Sequence, residues 1–234
     1  YAQRLWMGLE RHPDIDRVLY FERFSWSATQ PRRVQRAPLE EKIKDRARRV
    51  PLAADLYHGL RRACFRLAGA RSGAALYHEP NYLLMPFDGP SVATIHDLSY
   101  LHYPQFHPRE RIRRMGKGMP QTLRRAHHLI TISEFVRAEV IKLLGVPADK
   151  VTAIPLGADE SFRARSRDEC APVLRRHGLN GVKYLLTVGT LEPRKNLSGL
   201  IAAYGRLPEK IQGEHPLVAV GMKGWLSDAL ERQI

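Results

Sequence analysis

Eight residues, Gly189 to Asn196 (GTLEPRKN), hold the most concentrated chemistry in the chain. They follow an apolar run, YLLTV at 184–188, and precede a helical pattern over 197–207. A strand that turns into a helix offers backbone N–H groups and the positive end of a helix dipole to an anion. In open α/β sheets, ligands bind beyond the carboxyl ends of strands. Gly189 lets the backbone come close to a ligand, and Thr190 completes the turn. Arg194 can take phosphate oxygens in a bidentate way, while Lys195 adds a mobile point charge. Asn196 is suited to N-cap the helix. Two cations in a first helical turn oppose the dipole, which favours an anion between them. The alternative is a solvated Arg–Lys pair. The spacing is not a Walker A loop, because G-x-x-x-x-G-K-[ST] is absent.

Further polar residues stand at strand ends. His96 and Asp97 follow SVATI (91–95), where a ligand-facing residue belongs; the alternative for His96 is a loop histidine bonded to the backbone. Ser133 and Glu134 follow LITIS (129–133) and read as an N-cap serine with a first-turn acid, with a ligand contact as the other option. Gly157 is either a turn glycine or part of the site's border. Asp14 and Asp16 form a D-x-D that reads as a turn. His96, His102, His107 and the adjacent His127 and His128 lack zinc spacing, so no metal is expected. Tyr100, Tyr103 and Phe106 could form an aromatic platform or pack a loop.

These residues need parallel strands to carry them. Strands are expected at 17–21, near 75–77, and at 91–95, 129–133, 151–154, 184–188 and 217–220. Helices are expected at 51–69, 109–127 with a kink at Pro120, 134–144 stopped by Gly145, 168–177, 197–207 and the closing DALERQI. Residues 32–49 read as an exposed basic segment. The alternation predicts an α/β fold with parallel sheets covered on both faces. The polar stretch 158–167 is the expected linker between a first domain, 1–157, and a second, 168–234. The pattern begins and ends inside helices, so the chain is expected to be a fragment.

The 234 residues carry a formal net charge of +14, which implies anionic partners. Cys64 and Cys170 are isolated, which excludes a disulfide framework and fits a reducing cytosol. No apolar run approaches the roughly 20 residues that span a bilayer. The basic stretch 109–125 (RERIRRMGKGMPQTLRR) puts Ile112, Met115, Met119 and Leu123 on one face. It reads as a core-facing helix with a solvated basic side, or as a surface for an anionic membrane.

Taken in order, ATIHDLSYLHYP, ITISEF, VTAIPLGAD, VGTLEPRKNL and LVAVGMKGW resemble the family 4 retaining glycosyltransferases over about residues 92–226. The likeness is greatest to the mannosyltransferase branch of O-antigen and exopolysaccharide synthesis. It implies a GT-B fold, two Rossmann-like domains facing a cleft, here with the first domain short of its N-terminal strand and the second incomplete. It implies a nucleotide-diphosphate sugar as donor, with GDP-mannose expected, and a glycan or lipid-linked acceptor. Arg194 and Lys195 would neutralise the leaving diphosphate, with Gly189, Thr190 and Asn196 beside it. His96 would approach the donor sugar, and Asp97, Ser133 and Gly157 would border the cleft. No cofactor or metal is implied. The family's Gly-rich loop and glutamate pair are not found here, and Asp228 and Glu231 do not replace the pair, so the 234 residues alone are expected to be inactive. The expected site of action is the cytoplasm, at the inner membrane face. Other readings are a UDP-sugar donor, a silent GT-B-like module, or a nucleic-acid-binding protein. The last is opposed by scattered basic residues and the lack of an RRM-like or helix-turn-helix pattern.

Overall fold

A computed structural model of the chain describes residues 2–22, 24–28, 51–225, 230 and 232. The expected basic segment 32–49 and nearly all of the expected closing helix, with Asp228 and Glu231, lie outside them. The chain divides into two compact units, Tyr1–Leu98 with Lys117–Leu156, and Ser99–Gly116 with Gly157–Ile234.

The first unit is built on a four-stranded sheet of β3 (Tyr77–Glu79), β4 (Ser91–Ile95), β5 (His128–Thr131) and β6 (Val151–Ala153). The strands are parallel and stand in sequence order, with Ala93 opposite Leu129 and Leu129 opposite Val151. Ala93, Thr94, Ile95, Leu129, Thr131 and Val151 are buried, as expected of strands covered by helices. Helix α5 (Glu134–Leu144) follows β5 and packs on β5 and β6 through Val136 and Val140. Its Arg137 donates from Nε to Val151 O at 2.7 Å and from Nη2 to Ala148 O at 3.0 Å, pinning the start of β6. The helix stops at Gly145, whose φ of 66° lies in the left-handed region.

Ahead of the sheet come α1 (Ala2–Leu9), the short hairpin β1 (Tyr20–Glu22) with β2 (Ser25–Ser27), and α2 (Pro51–Ser72). Phe65 of α2 is 1% exposed and meets the rings of Phe21, Trp26 and Tyr77 at centroid distances of 4.8–4.9 Å. The hairpin thereby joins the core through aromatic contacts. The strand lies at 20–22 rather than 17–21; Phe21 reaches this cluster, and Tyr20 meets Trp6 of α1.

Helix α4 (Arg109–Arg125) runs without interruption through Pro120. Met115, Met119 and Thr122 are its buried stripe, so the amphipathic reading holds with Thr122 in place of Leu123. Thr122 Oγ1 accepts from the Leu84 N–H at 3.0 Å. A side chain at Gly118 would come within 2.9 Å of Leu83 Cδ1, so this glycine lets the 80–90 loop lie against the helix.

In the second unit, β7 (Leu185–Val188) and β8 (Leu217–Val220) form a parallel pair, with Val188 opposite Val220. Helix α6 (Arg167–Arg176) opens on a capping box of Ser166 and Glu169. Helices α7 (Leu197–Tyr204) and α8 (Glu209–Glu214) connect the two strands. The expected helix 197–207 ends early because Gly205 follows Tyr204, and the Tyr204 hydroxyl then donates to Gln212 O at 2.9 Å. The segment 99–116 also belongs to this unit and contains α3 (Ser99–His102). The Trp225 indole donates to Phe106 O at 2.8 Å, and Arg111 stands 5.4 Å from its ring centre. Tyr100 is 5% exposed, with its phenol pushed up to about 12 by burial. Tyr100 is therefore a packing residue, not part of an exposed platform.

One polar pair in the first unit yields a test. His78 Nε2 hydrogen-bonds Thr94 Oγ1 at 2.8 Å, and burial holds the imidazole below its ordinary 6.5. The unfolded chain then takes up a proton before the folded chain does. Its contribution to stability is full above pH 6.5 and is lost as pH falls from there through the lower folded-state value. Denaturant melts at about pH 7.5 and about pH 5 should show this loss, and His78→Gln should reduce the difference. An unchanged difference in the variant would remove His78 from the explanation.

Candidate functional site

The Gly189–Asn196 turn leaves the carboxyl end of β7 as expected. Main-chain bonds fix it to the segment after β8. Gly189 N–H donates to Val220 O at 2.9 Å, Leu191 N–H to Met222 O at 2.9 Å, and Gly224 N–H to Leu191 O at 3.0 Å. A Cβ at residue 221 would stand 1.7 Å from Gly189 O, so only glycine fits there. Gly224 is similarly constrained, with Leu191 O 2.6 Å from where its Cβ would be.

Residues 193–195 form a 3₁₀ turn, with Lys195 N–H bonded to Glu192 O and Asn196 N–H to Pro193 O, each at 3.0 Å. These bonds engage four of the N–H groups that the sequence offered to an anion, those of residues 189, 191, 195 and 196. The electrostatic load therefore falls on side chains. Gly189, Thr190 and Lys195 line a cavity of about 100 Å³, together with residues of β7 and β8.

Arg194 and Asn196 take other positions. Arg194 Nη2 donates to Glu192 Oε1 at 2.8 Å, and the Glu192 side chain is only 3% exposed. This buried carboxylate fixes the guanidinium at the mouth of the turn. Asn196 does not cap α7 with its side chain, which corrects the sequence expectation. Its φ of 53° is left-handed, whereas an N-cap needs extended backbone. The residue instead ends the 3₁₀ turn, and its Oδ1 lies 2.6 Å from where a Gly199 Cβ would stand. Gly199 makes room for that carboxamide.

In the first unit, His96 and Asp97 lie just past β4. Pro80 O accepts from His96 Nε2 at 2.8 Å, the backbone-bonded arrangement anticipated for a loop histidine. The Tyr82 ring meets the imidazole edge-on, with centroids 5.7 Å apart. Tyr82 itself has a φ of 69°, a left-handed conformation that costs a bulky residue about 1–3 kcal/mol. Ser133 caps α5, its Oγ accepting from Val136 N–H at 3.2 Å. Gly157 is exposed, and a Cβ there would meet nothing within 4 Å. Among the described residues, no three His, Cys, Asp or Glu side chains gather as a metal site.

Sequence reasoning passed over Glu192, Gly221 and Tyr82. Glu192 lies inside the GTLEPRKN motif, and its burial was the missing information. Gly221 and Gly224 form a G-x-x-G after β8 whose steric purpose appears only once the turn is folded. Nothing in the sequence signals left-handed backbone at an aromatic residue.

Parallel strands alternating with helices place the protein among the α/β folds. The chain belongs to Glycosyltransferase Family 4, whose sequence profile matches residues 13–162. It is 37% identical to the O-antigen chain mannosyltransferase B of Escherichia coli over 185 residues, 78% of this chain and 48% of that protein. It is 31% identical over 96 residues to the serotype-specific mannosyltransferase WbdA of Escherichia coli, 40% of this chain and 12% of that protein. The chain thus spans about half, or less, of the length of these curated relatives. A solved structure of Anabaena Alr3699/HepE in complex with UDP is similar at 21% identity and a TM-score of 0.46, over 62% of this chain and 38% of that one.

The Glu192–Arg194 pair separates two roles for the basic residues. Arg194→Ala leaves a buried carboxylate without its cation and should destabilise the fold by about 3 kcal/mol, the low end for a broken buried pair because the arginine is partly exposed. Lys195→Ala should leave the melt within about 0.5 kcal/mol of the parent. Equal melts for the two variants would refute the assignment.

Proposed function

We propose that this protein is a retaining glycosyltransferase that moves a hexose, most specifically mannose from GDP-mannose, to a glycan or lipid-linked acceptor in surface polysaccharide synthesis. The observation that carries this reading is the β7 turn, where Lys195, Gly189 and Thr190 line one cavity and Arg194 is paired with a buried acid two residues away. The mannosyltransferase relatives support the choice of sugar.

The chemistry follows from charge. Breaking the bond between the sugar and its phosphate leaves negative charge on the nucleoside diphosphate. Cations held in place before the reaction stabilise that charge most in the transition state. Lys195 supplies a flexible ammonium at the cavity, and Arg194 a planar guanidinium whose orientation Glu192 sets. In this reading the two side chains do the neutralising without a divalent ion. His96 acts at the donor sugar, Asp97 assists it, and Ser133 and Gly157 border the site.

The exposed side of α4 supports an action at a membrane surface. Arg109, Arg113, Lys117 and Arg124 lie on one stripe of the helix and are exposed, opposite Met115 and Met119. Among the described residues no helix is long and apolar enough to cross a membrane. The proposed location is the cytoplasmic face, with the basic stripe on anionic headgroups. Each basic residue near such a surface contributes about 1 kcal/mol. Co-sedimentation should favour anionic over zwitterionic vesicles, and Lys117→Glu with Arg124→Glu should abolish the preference. Equal binding to both vesicle types would discard this part of the reading.

The full-length protein should be titrated with GDP, UDP and a random oligonucleotide, and again after Arg194→Ala and Lys195→Ala. GDP binding that survives EDTA and weakens at least about ten-fold in each variant is the expected result, since charge-assisted bonds are worth about 1.5–3 kcal/mol. Tight, salt-sensitive oligonucleotide binding without diphosphate binding would replace the transferase reading. A preference for UDP would change the donor.

A further inference from the structure

We propose that the solvent-facing ridge of α2 seats the first unit on an anionic bilayer. Leu56, Leu60 and Leu67 enter the acyl boundary, and the arginines beside them stay among the headgroups. The inference rests on the membrane-surface reading given above and deepens it by naming the element that enters the lipid.

Helix periodicity gives α2 two faces. Phe65 and Gly69 belong to the inner one. Phe65 lies within the aromatic cluster, and a Cβ on Gly69 would meet Phe87 at 3.7 Å and Trp26 at 3.9 Å. Leu56, Leu60, Ala63, Leu67 and Ala70 fall on the opposite side, within a sector of about 80°. An apolar stripe on a surface helix normally faces a core. Here Phe65 takes the core side, and the stripe is left to solvent: Leu56 is 74% exposed, Leu60 55% and Leu67 66%. Single exposed leucines need no explanation. Three in line over about 16 Å of one helix form a contiguous apolar ridge.

Charge selects what covers it. From Leu56 to Ser72 the helix holds four arginines, Arg61, Arg62, Arg66 and Arg71, and no acid. Arg61 is turned toward the hairpin, with its guanidinium 5.4 Å from the centre of the Phe21 ring. Arg62 and Arg66 border the ridge on one side and Arg71 on the other, and all three are exposed. Arg66 pairs with Asp88 at 3.2 Å, a solvent-exposed contact that keeps the guanidinium beside the ridge. Arg62 Nη2 donates to Gln121 Oε1 of α4 at 3.1 Å, which sets the basic end of α4 alongside. A second copy docked ridge to ridge would bring these arginines against their own counterparts. An anionic bilayer meets them with phosphates, while their apolar stems lie along the lipid surface. The ridge also projects from the surface, so a fluid layer can close around it where a protein partner would need a matching trough. Phe24 and Tyr57 pack edge-on at 5.5 Å and are both exposed, an aromatic pair of the kind that sits at headgroup level.

The test uses full-length protein carrying an environment-sensitive fluorescent amino acid at position 60, mixed with phosphatidylcholine–phosphatidylglycerol vesicles. Its emission should shift to the blue and be quenched by lipids brominated on their acyl chains. In unlabelled protein, Leu56→Ser with Leu60→Ser and Leu67→Ser should weaken vesicle binding at least about ten-fold, since burial of even one leucine is worth that much in partitioning. The melt should stay near that of the parent, because none of the three side chains is in the core. Vesicle binding with an unquenched label, or parental binding by the folded triple variant, overturns the proposal and leaves the role of α4 standing. No binding of the parent to any vesicle defeats both. A self-association seen by light scattering that the triple variant loses, with no lipid quenching in the labelled protein, would make the ridge a protein interface and also overturns the proposal.

Discussion

The carbonyl of Gly189 occupies the space where any other residue at position 221 would put its Cβ, 1.7 Å away. This close approach of two backbones is the constraint on which the proposed diphosphate site depends. It lets the segment after β8 close against the turn after β7, through the bonds of Gly189 to Val220 and Leu191 to Met222. Once the turn is fixed there, Glu192 is buried, Arg194 must follow its carboxylate, and Lys195 is left to line the cavity. A bulkier residue at 221 would displace the turn, and the charges would lose their places with it. The charge chemistry at this site is therefore downstream of a steric requirement.

The exit of β4 applies the same logic with different means. Parallel strands end in loops, and a loop holds a side chain only if its own backbone is tied down. In the first unit the tie is the 80–82 loop, which is seated in turn by Leu83 against Gly118 and by Leu84 N–H on Thr122. The path from the core of α4 to His96 runs through hydrogen bonds and glycine contacts. In each unit, polar groups at a strand end are set by packing a few residues away.

Much of this was legible in the sequence. The strands at 91–95 and 217–220 and the helix at 134–144 stand where their patterns put them, because continuous apolar runs and a serine–glycine pair of caps leave few alternatives. The turn at 189–196 was legible as the link from a strand to a helix, from the apolar run before it and Pro193 within it. What could not be read depends on contacts distant in sequence. Asn196 looked like an N-cap because its type suits one, but the 3₁₀ turn before it forces left-handed backbone, and Gly199 receives its side chain. Glu192 reads as a surface acid until β8 packs beside it. Segment 99–116 gives no sign in sequence that Trp225 will hold it through Phe106 O. Short elements such as β2 and α8 carry too little pattern to stand out.

The proposed mechanism turns on a leaving diphosphate met by Lys195 and Arg194 on the face of the sugar where the acceptor arrives. The most direct measurement is the anomeric configuration of the product, read by NMR as full-length protein consumes GDP-α-mannose in the presence of acceptor. An α-linked product, formed with stoichiometric release of GDP, is the expected result. A β-linked product would contradict the proposed retaining mechanism and require a base placed opposite the diphosphate.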